Sequence, residues 1–345
     1  GAVHMSRLGY DYQDILLHYY TDVSLVSMTE YYKDMESRLA WERKGLVQTW
    51  VAILGPAQGI DGMIKAVRWA PSGDMVAYGI AGNQGGLWIF NVVTGEKAKL
   101  LSEPVLELAW KSDGSMLAVV SAPFGSGGAT RRLSCVELEV GHDRTVSVAT
   151  ITMGAESSVI HSPVWMSDSD LLVFGQNGMI YGAQNGVSVP LVTDAATPAL
   201  TPGGRSVALS RQGVIWLYEL ATGEAERLCW LGSIKSMVWS QDAKHLAVDT
   251  GNEVAVISAG TRQIVAKLPG YAPSWSADGH FLAYMSGEYG SGGNVEAHIW
   301  ELSSNETQML AQSQNGGPGT VDWSASGSSL AYGIDGKLHL LTLRR

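Results

Sequence analysis

Residues that could carry out catalysis are few in this sequence, and they are widely spaced. No segment fits the nucleophile motif G-x-S-x-G, the zinc motif H-E-x-x-H or the phosphate motif G-x-x-x-x-G-K-[ST]. The eight His are scattered singly, and none has a second His two or four positions later, a spacing typical of metal ligands on one strand or helix. The sequence therefore predicts no metal, no cofactor and no catalytic residue.

The lack of catalytic motifs does not exclude one kind of catalysis, which uses carboxylate side chains alone. Two acids from distant parts of the chain would suffice for glycoside cleavage, because they need lie only about 5 to 10 Å apart. Several acids, however, stand beside Gly or Ser in turn-like segments, and turn chemistry explains them. These turn acids are Asp74, Asp113, Asp168, Asp242 and Asp278.

Charge and cysteine content narrow the classes of partner. The formal net charge is -10, and nucleic-acid binding depends on a basic surface, so a nucleic-acid partner is not expected. No apolar run is long enough for a membrane-spanning helix. Cys135 and Cys229 lie 94 positions apart without CxxC spacing, which excludes a zinc knuckle and leaves one long-range disulfide open.

One phrase recurs seven times: an apolar stretch, Trp, a turn rich in Ser, Asp and Gly, and a short strand that usually contains Leu-Ala. The copies lie about 42 residues apart on average, which is the length of a four-stranded propeller blade. We expect the large aromatic residue at the same strand end of each copy to pack blade against blade. The anchors are Trp69, Trp110, Trp165, Leu200, Trp239, Trp275 and Trp323.

The last copy supplies only three strands, because the sequence stops after 337–345, a typical third strand. Segment 45–54 is strand-like and has no hairpin partner of its own. The sequence therefore predicts an all-β, seven-bladed β-propeller over 45–345, closed by this N-terminal strand, which removes open sheet edges. Phrases such as Trp275-Ser-Ala-Asp-Gly279 followed by Leu282-Ala-Tyr284 resemble the TolB-type, WD40-like β-propellers, a resemblance that implies the fold and says little of function.

Two long connections between second and third strands stand out, 121–128 and 286–293, which share aromatic-Gly-Ser-Gly-Gly. In a propeller these connections lie on the face of the inter-blade links, where ligands usually bind around the central channel. Gly and Ser alone would also permit a long flexible hairpin. The predicted ligand or partner face, for a sugar or a peptide, comprises Asn83, Phe124, Glu156, His161, Tyr271, Glu288 and Tyr289.

Residues 1–44 show a helical pattern and form a predicted α-helical extension. Asp11 is a suitable N-cap for one helix, and Ser27 to Glu30 forms a capping box for a second. Gly1-Ala2, Gly9, Tyr12, Ile15-Leu16 and Tyr19-Tyr20 match the pattern G-A-x6-G-x-S/D-Y-x-E/D-I-L-x-x-Y-Y. This stretch resembles the end of the stage II sporulation protein D family (SpoIID/LytB).

The SpoIID resemblance implies a connection to the cell wall. Members of that family cleave peptidoglycan glycan strands as lytic transglycosylases, with a catalytic Glu upstream of the closing motif. That upstream part is not in this sequence, so no residue inherits the catalytic role. Since Gly1 falls inside the last conserved stretch of the family, we expect a C-terminal piece of a longer protein.

The sequence thus predicts a helical extension over 1–44 and a propeller over 45–345 that binds or scaffolds without turnover. The resemblance implies an accessory module of a cell-wall, sporulation-related protein outside the cytoplasm. Its partner would be a protein, a cell-wall glycan or peptide, or the missing upstream domain. Two alternatives stay open. One is a propeller hydrolase or lyase, or the regulatory half of a lytic transglycosylase; the other is a structural subunit of an extracellular assembly.

Overall fold

The computed structural model describes residues 47–54, 63–82, 85–123, 130–140, 146–157, 159–167, 169–287, 294–313, 319–334 and 336–344. These residues contain 28 strands and no helix. The two helices predicted within residues 1–44 lie outside this range, and so do the tips of both long loops. Residues 48–344 belong to one compact unit.

The strands fall into seven sheets, which we number as blades in chain order. Blade 1 contains β2 (Met63–Trp69), β3 (Met75–Ala81), β4 (Gly86–Asn91) and β5 (Lys97–Leu101); blade 2 contains β6 (Val105–Trp110), β7 (Met116–Ser121), β8 (Arg131–Val140) and β9 (Val146–Ser157); blade 3 contains β10 (Ile160–Trp165), β11 (Leu172–Gln176), β12 (Met179–Gln184) and β13 (Val187–Thr193). Blade 4 contains β14 (Ala196–Leu200), β15 (Ser206–Arg211), β16 (Val214–Glu219) and β17 (Ala225–Trp230); blade 5 contains β18 (Ser236–Trp239), β19 (His245–Asp249), β20 (Glu253–Ser258) and β21 (Ile264–Pro269); blade 6 contains β22 (Tyr271–Trp275), β23 (Phe281–Gly287), β24 (Val295–Glu301) and β25 (Thr307–Ser313). Blade 7 contains β26 (Thr320–Trp323), β27 (Ser329–Ile334) and β28 (Lys337–Arg344), and its sheet also includes β1 (Val47–Leu54), the first strand in the chain.

The architecture is a seven-bladed β-propeller, and the prediction of an all-β, seven-bladed fold is confirmed. Blades 1 to 6 are meanders of four consecutive strands, and the seventh sheet has the order β1-β28-β27-β26. The first strand of each blade contacts the first strand of the next, and β26 contacts β2, so the seven first strands form a ring. We call these seven the innermost strands.

Apolar side chains hold neighbouring blades together. The buried residues form clusters that each draw on two adjacent blades, because both faces of a radial sheet are covered by its neighbours. Trp239 of blade 5, for example, packs with Ala199 and Ala208 of blade 4. The expected role of the repeated Trp in packing blade against blade is confirmed.

Several anchor Trp also bind the preceding blade through the indole N–H. Trp110 Nε1 donates to the Arg68 carbonyl at 3.1 Å, and Trp239 Nε1 donates to the Ala199 carbonyl at 3.1 Å. Trp165 does the same to Ala109 at 3.0 Å. In each case the acceptor precedes the anchor position of the previous blade. The repeat therefore encodes a polar link between blades as well as an apolar one.

The turn after each anchor is built by its own side chains. In blade 5, Ser240 Oγ donates to Asp242 Oδ1 at 2.7 Å, and the His245 N–H donates to Ser240 Oγ at 3.0 Å. Blade 6 repeats this with Ser276, Asp278 and the N–H of Phe281. These contacts are the turn chemistry that the sequence predicts for such acids.

Three innermost strands carry a bulge with a left-handed residue, which the repeat did not reveal. Ser162, Thr197 and Ala272 have positive φ angles of 53°, 52° and 51°, and each precedes a proline. The strand register shifts at each of them. A left-handed backbone before proline is costly, so surrounding contacts must hold it. At Ser162 and Ala272 the bulge turns the backbone N–H toward the preceding blade, where a carboxylate accepts it.

Both cysteines are free, Cys135 buried in blade 2 and Cys229 partly exposed in blade 4, so the disulfide left open by the sequence does not form. Burial raises the pKa of the Cys135 thiol to about 11, which makes it a poor nucleophile. Among the described residues, no helix is long and apolar enough to cross a membrane.

Two anchors offer a matched test of the indole links. Trp239 and Trp275 are both 7% exposed, but within the described part of the chain Trp275 Nε1 has no hydrogen-bond partner. We expect Trp239→Phe to lower the free energy of unfolding by about 1 kcal/mol more than Trp275→Phe, because only the first substitution breaks a hydrogen bond. Urea unfolding followed by far-UV circular dichroism measures both. Equal losses would show that the indole link contributes nothing.

Candidate functional site

Charged residues interrupt the innermost strands, which are otherwise mostly apolar. Arg68 directly precedes the anchor Trp69, Asp322 directly precedes Trp323, and Glu107 lies within β6. Because these strands form the ring, the three side chains lie on blades 1, 7 and 2, which are consecutive around it. These three residues and Arg131, which lies on β8 of blade 2, form a group of charged residues on adjacent blades.

Asp322 connects three blades. Its Oδ2 accepts the backbone N–H of Trp69 in blade 1 at 2.8 Å, and its Oδ1 accepts the Ser274 hydroxyl of blade 6 at 3.2 Å. Arg68 Nη1 lies 3.9 Å from Oδ1. Ser274 in turn accepts the N–H of Trp323 at 3.1 Å. Ser274 and Asp322, each at the position before an anchor, thus bind the backbone N–H of the anchor in the next blade.

Glu107 makes the corresponding link from blade 2 to blade 3. Its Oε2 accepts the N–H of the bulge residue Ser162 at 2.6 Å. Arg131 Nη1 lies 3.4 Å from Glu107 Oε1 and donates to the Ile160 carbonyl at 2.9 Å. The arginine therefore holds the carboxylate and the following blade together.

Asp249 repeats the arrangement between blades 5 and 6. Its Oδ2 accepts the N–H of the bulge residue Ala272 at 2.9 Å, and its Oδ1 accepts the N–H of Gly251 at 2.7 Å. Three carboxylates, Glu107, Asp249 and Asp322, thus each bind a backbone N–H of the next blade's innermost strand. We call these contacts carboxylate clamps.

Burial changes the ionisation of all three clamps. Burial raises the pKa of Asp322 above its ordinary value, although Arg68 and the donors on Trp69 and Ser274 act in the opposite direction. Burial likewise raises the pKa of Glu107 and of Asp249, again against hydrogen bonds and nearby cations. A raised carboxyl pKa is typical of catalytic acids, but it also follows from a buried structural role.

A second polar cluster lies at the base of the long loop of blade 6. His298 Nε2 lies 2.8 Å from Ser286 Oγ and 3.0 Å from Glu296 Oε2, and Gln312 Nε2 donates to Glu296 Oε1 at 3.1 Å. Ser286 on β23, before the loop, and Glu296 on β24, after the loop, are directly paired in the strand register. The His298 ring stacks on Tyr284, with centroids 5.1 Å apart. We call this group the blade 6 loop base.

Ser, His and Glu in contact suggest a nucleophile, but the geometry is that of a hydrogen-bonded cluster. In a catalytic triad the imidazole uses one nitrogen for the serine and the other for the carboxylate. Here Nε2 meets both groups, while Nδ1 is buried without a hydrogen-bond partner in the described structure. Burial lowers the pKa of His298, despite the opposing effect of Glu296, so the ring is neutral at neutral pH.

Blade 2 has a similar group at the base of its own long loop. Ser121 Oγ donates to Glu103 Oε2 at 2.9 Å, and Arg132 Nη1 donates to Glu103 Oε1 at 2.6 Å. Ser121 and Arg132 are register partners across the start of the loop. Both long loops therefore start at a serine whose hydroxyl is held by a glutamate.

Two of the predicted face residues have described side chains, and both are packed into the fold. Tyr271 is 7% exposed, and its hydroxyl accepts the N–H of Gly319 at 3.1 Å. His161 lies against Gly175, where a side chain would collide with the imidazole. Burial, followed by the charge of Arg131, lowers the pKa of His161. Tyr271 and His161 therefore contribute mainly to packing below the predicted face, and less to ligand contacts on it.

The remaining predicted face residues are not brought together by the described structure. Glu156 lies on β9, opposite Arg132 in the strand register. Asn83, Phe124, Glu288 and Tyr289 lie outside the described residues. Their grouping into a ligand face stays a prediction.

Sequence reasoning missed the carboxylate clamps and the loop-base clusters. A signal for one clamp was present, since Asp322 is a charged residue beside the anchor Trp323 in an otherwise mostly apolar strand and requires a partner. The bulges were signalled by a proline two positions before the anchors Trp165, Leu200 and Trp275. Among the described residues, no group of three or more His, Cys, Asp or Glu could hold a metal ion.

No protein-family model matches the chain, and no curated protein matches it significantly. These comparisons add no support to the SpoIID or the TolB-type resemblance. The class of protein defined by the structure is a seven-bladed β-propeller in which three pairs of adjacent blades are joined by buried or partly buried carboxylates.

Asp322 and Asp113 should affect the pH dependence of stability with opposite signs, and this difference tests the clamps. Burial raises the pKa of Asp322 above 3.8, so its contribution to stability is complete below pH 3.8 and is lost as pH rises through the folded pKa. For Asp113, burial acts to raise the pKa, but hydrogen bonds from Lys111 and Ser115 outweigh it and lower the pKa to about 2. The contribution of Asp113 is therefore lost as pH falls from 3.8 toward 2.

We expect the stability difference between the parent and Asp322→Asn to shrink as pH rises from about 4 to 7. The difference between the parent and Asp113→Asn should shrink as pH falls below about 4. Urea unfolding at a series of pH values measures both. A pH dependence of the same sign for the two variants would contradict the assignment of Asp322 as a buried clamp.

Proposed function

We propose that this protein is a non-enzymatic binding propeller. The observation that carries the proposal is that the three clamp carboxylates, on or beside the innermost strands, already accept backbone hydrogen bonds. Glu107, Asp249 and Asp322 each accept a backbone N–H of a neighbouring blade at 2.6 to 2.9 Å. An acid fixed in this way is part of the framework, because a substrate that displaced it would leave a backbone donor unpaired.

The binding surface that we propose is the face carrying the two long loops and the inter-blade links. Both loop bases are anchored by serine–glutamate hydrogen bonds, one in blade 2 and one in blade 6. A rigid base below a loop lowers the entropy lost when the loop binds. The ligand or partner is a protein, or a cell-wall glycan or peptide.

The same proposal includes the type of propeller, its closing strand, the helical extension and the location of the protein. We assign the propeller to the TolB type because of its repeated turn phrase, and we place segment 45–54 as its closing strand, which the order β1-β28-β27-β26 supports. The residues that resemble the SpoIID closing motif support a helical extension over 1–44, a cell-wall context and a location outside the cytoplasm.

The test compares binding with turnover on the same material. The purified full chain is incubated with insoluble peptidoglycan, and both the protein that sediments and the soluble glycan released are measured. We expect saturable co-sedimentation without glycan release. Release of glycan fragments by the chain would overturn the proposal in favour of a propeller hydrolase or lyase, and absence of sedimentation would remove the cell wall as the ligand.

A matched pair of variants locates the surface. Glu296→Gln weakens the blade 6 loop base, because an amide NH2 replaces one carboxylate oxygen and cannot accept, so either the bond from Gln312 or the contacts with Ser286 and His298 are lost. Glu226→Gln makes the same change in an exposed residue of blade 4 that pairs with Arg262. We expect a several-fold weaker binding for Glu296→Gln and parental binding for Glu226→Gln. Equal binding by both variants would place the ligand elsewhere.

A further inference from the structure

Blade 4 carries an unusual row of side chains at the loop face of the propeller. Arg211 is the register partner of Val214, and Val214 is the register partner of Trp230. Directly paired residues on neighbouring strands project to the same side of a sheet. Arg211, Val214 and Trp230 therefore form a cross-strand row, on the side of blade 4 that faces blade 3.

The direction of the row follows from its neighbours. Leu209, two residues before Arg211, packs in the cluster shared by blades 3 and 4. Arg211 itself reaches blade 3, where Nη2 donates to the Thr193 carbonyl at 3.3 Å. The short hairpin at 212–213 and the start of the link to blade 5 bring this row to the loop face.

Trp230 is an exposed aromatic residue beside a hydrogen-bonded backbone. Its side chain is 63% exposed, whereas the six anchor Trp are buried or largely buried. The backbone beyond it is held to the hairpin, since the N–H groups of Leu231 and Gly232 both donate to the Gly213 carbonyl, at 2.9 and 3.1 Å. Trp is among the residue types most enriched at binding hot spots.

Arg211 has unused capacity for an anion. Of its five N–H donors, one binds Thr193, and Nε is buried without a hydrogen-bond partner among the described residues. Asp194, the next residue of the same link, is exposed and makes no ion pair with Arg211 in the described structure. A small rotation of the guanidinium would present two donors to a carboxylate, which is the geometry that arginine favours.

We propose that the Arg211–Val214–Trp230 row binds an acidic peptide, with a carboxylate on Arg211 and an apolar side chain on Val214 and Trp230. The proposal rests on the proposed function, because it names a ligand class for the same face. Local charge decides the occupant: Arg211 is a cation with no carboxylate partner among the described residues, and a carboxylate of the ligand is the group complementary to it.

Strand spacing sets the spacing of the ligand groups. Arg211 and Trp230 are separated by two inter-strand steps, or about 10 Å. In a polyproline II segment, residues three apart lie on the same side and are about 9 Å apart. An acid followed three positions later by an apolar residue therefore spans the row.

The test uses the full chain and the blocked tetrapeptide Glu-Pro-Pro-Leu, with Gln-Pro-Pro-Leu as the ligand control. Calorimetric titration gives the affinity, and the fluorine resonance of Trp230, identified in 5-fluorotryptophan-labelled protein through Trp230→Phe, reports the location. We expect saturable binding, a shift of the Trp230 resonance, and at least about tenfold weaker binding of the Gln peptide, because a charge-assisted hydrogen bond is lost.

Protein variants separate this inference from the proposed function. Arg211→Gln should weaken binding of the Glu peptide at least about tenfold and leave the Gln peptide unaffected. Arg205→Gln, an exposed arginine in the turn at the other end of blade 4, should bind like the parent. No binding of the Glu peptide, or equal affinity for both peptides, would overturn the inference. If the chain still sediments with peptidoglycan in that case, the proposed function stands; if it does not, both fail.

Discussion

The constraint on which this fold depends is the unpaired edge of every innermost strand. Each blade presents one sheet edge to the axis, and the backbone N–H groups there require acceptors that the blade itself does not supply. Carboxylates of the preceding blade provide them at Ser162, Ala272 and Trp69. Because each clamp crosses from one blade to the next, it fixes the angle between blades as well as satisfying a donor.

This solution has a consequence for function. An acid that accepts a backbone N–H from a neighbouring blade is committed to the ring, even when burial raises its pKa, as it also does for many catalytic acids. The acids at the centre of the propeller therefore serve stability, while the loop face carries side chains that can still bind a ligand. Arg211 and Trp230 belong to that face, on a blade whose own second connection is too short to cover them.

Much of the framework was predictable because it repeats. Six Trp and one Leu at regular spacing identified seven blades, and their packing between blades follows from size and position alone. The turn acids were equally predictable, since Asp242 and Asp278 bind within two or three residues of themselves. The clamps were not, because Glu107 and Ser162 lie 55 residues apart and the bulge that aims the Ser162 N–H breaks the repeat.

The sequence by itself determined the number of blades, the strand order within them and the turn that follows each anchor, because these depend on local patterns repeated along the chain. Only the tertiary structure decided which acids are structural, that both cysteines are free, and that Arg211 and Trp230 form one row. Those outcomes depend on register and on contacts between blades, where one residue of shift moves a side chain to the opposite face of its sheet.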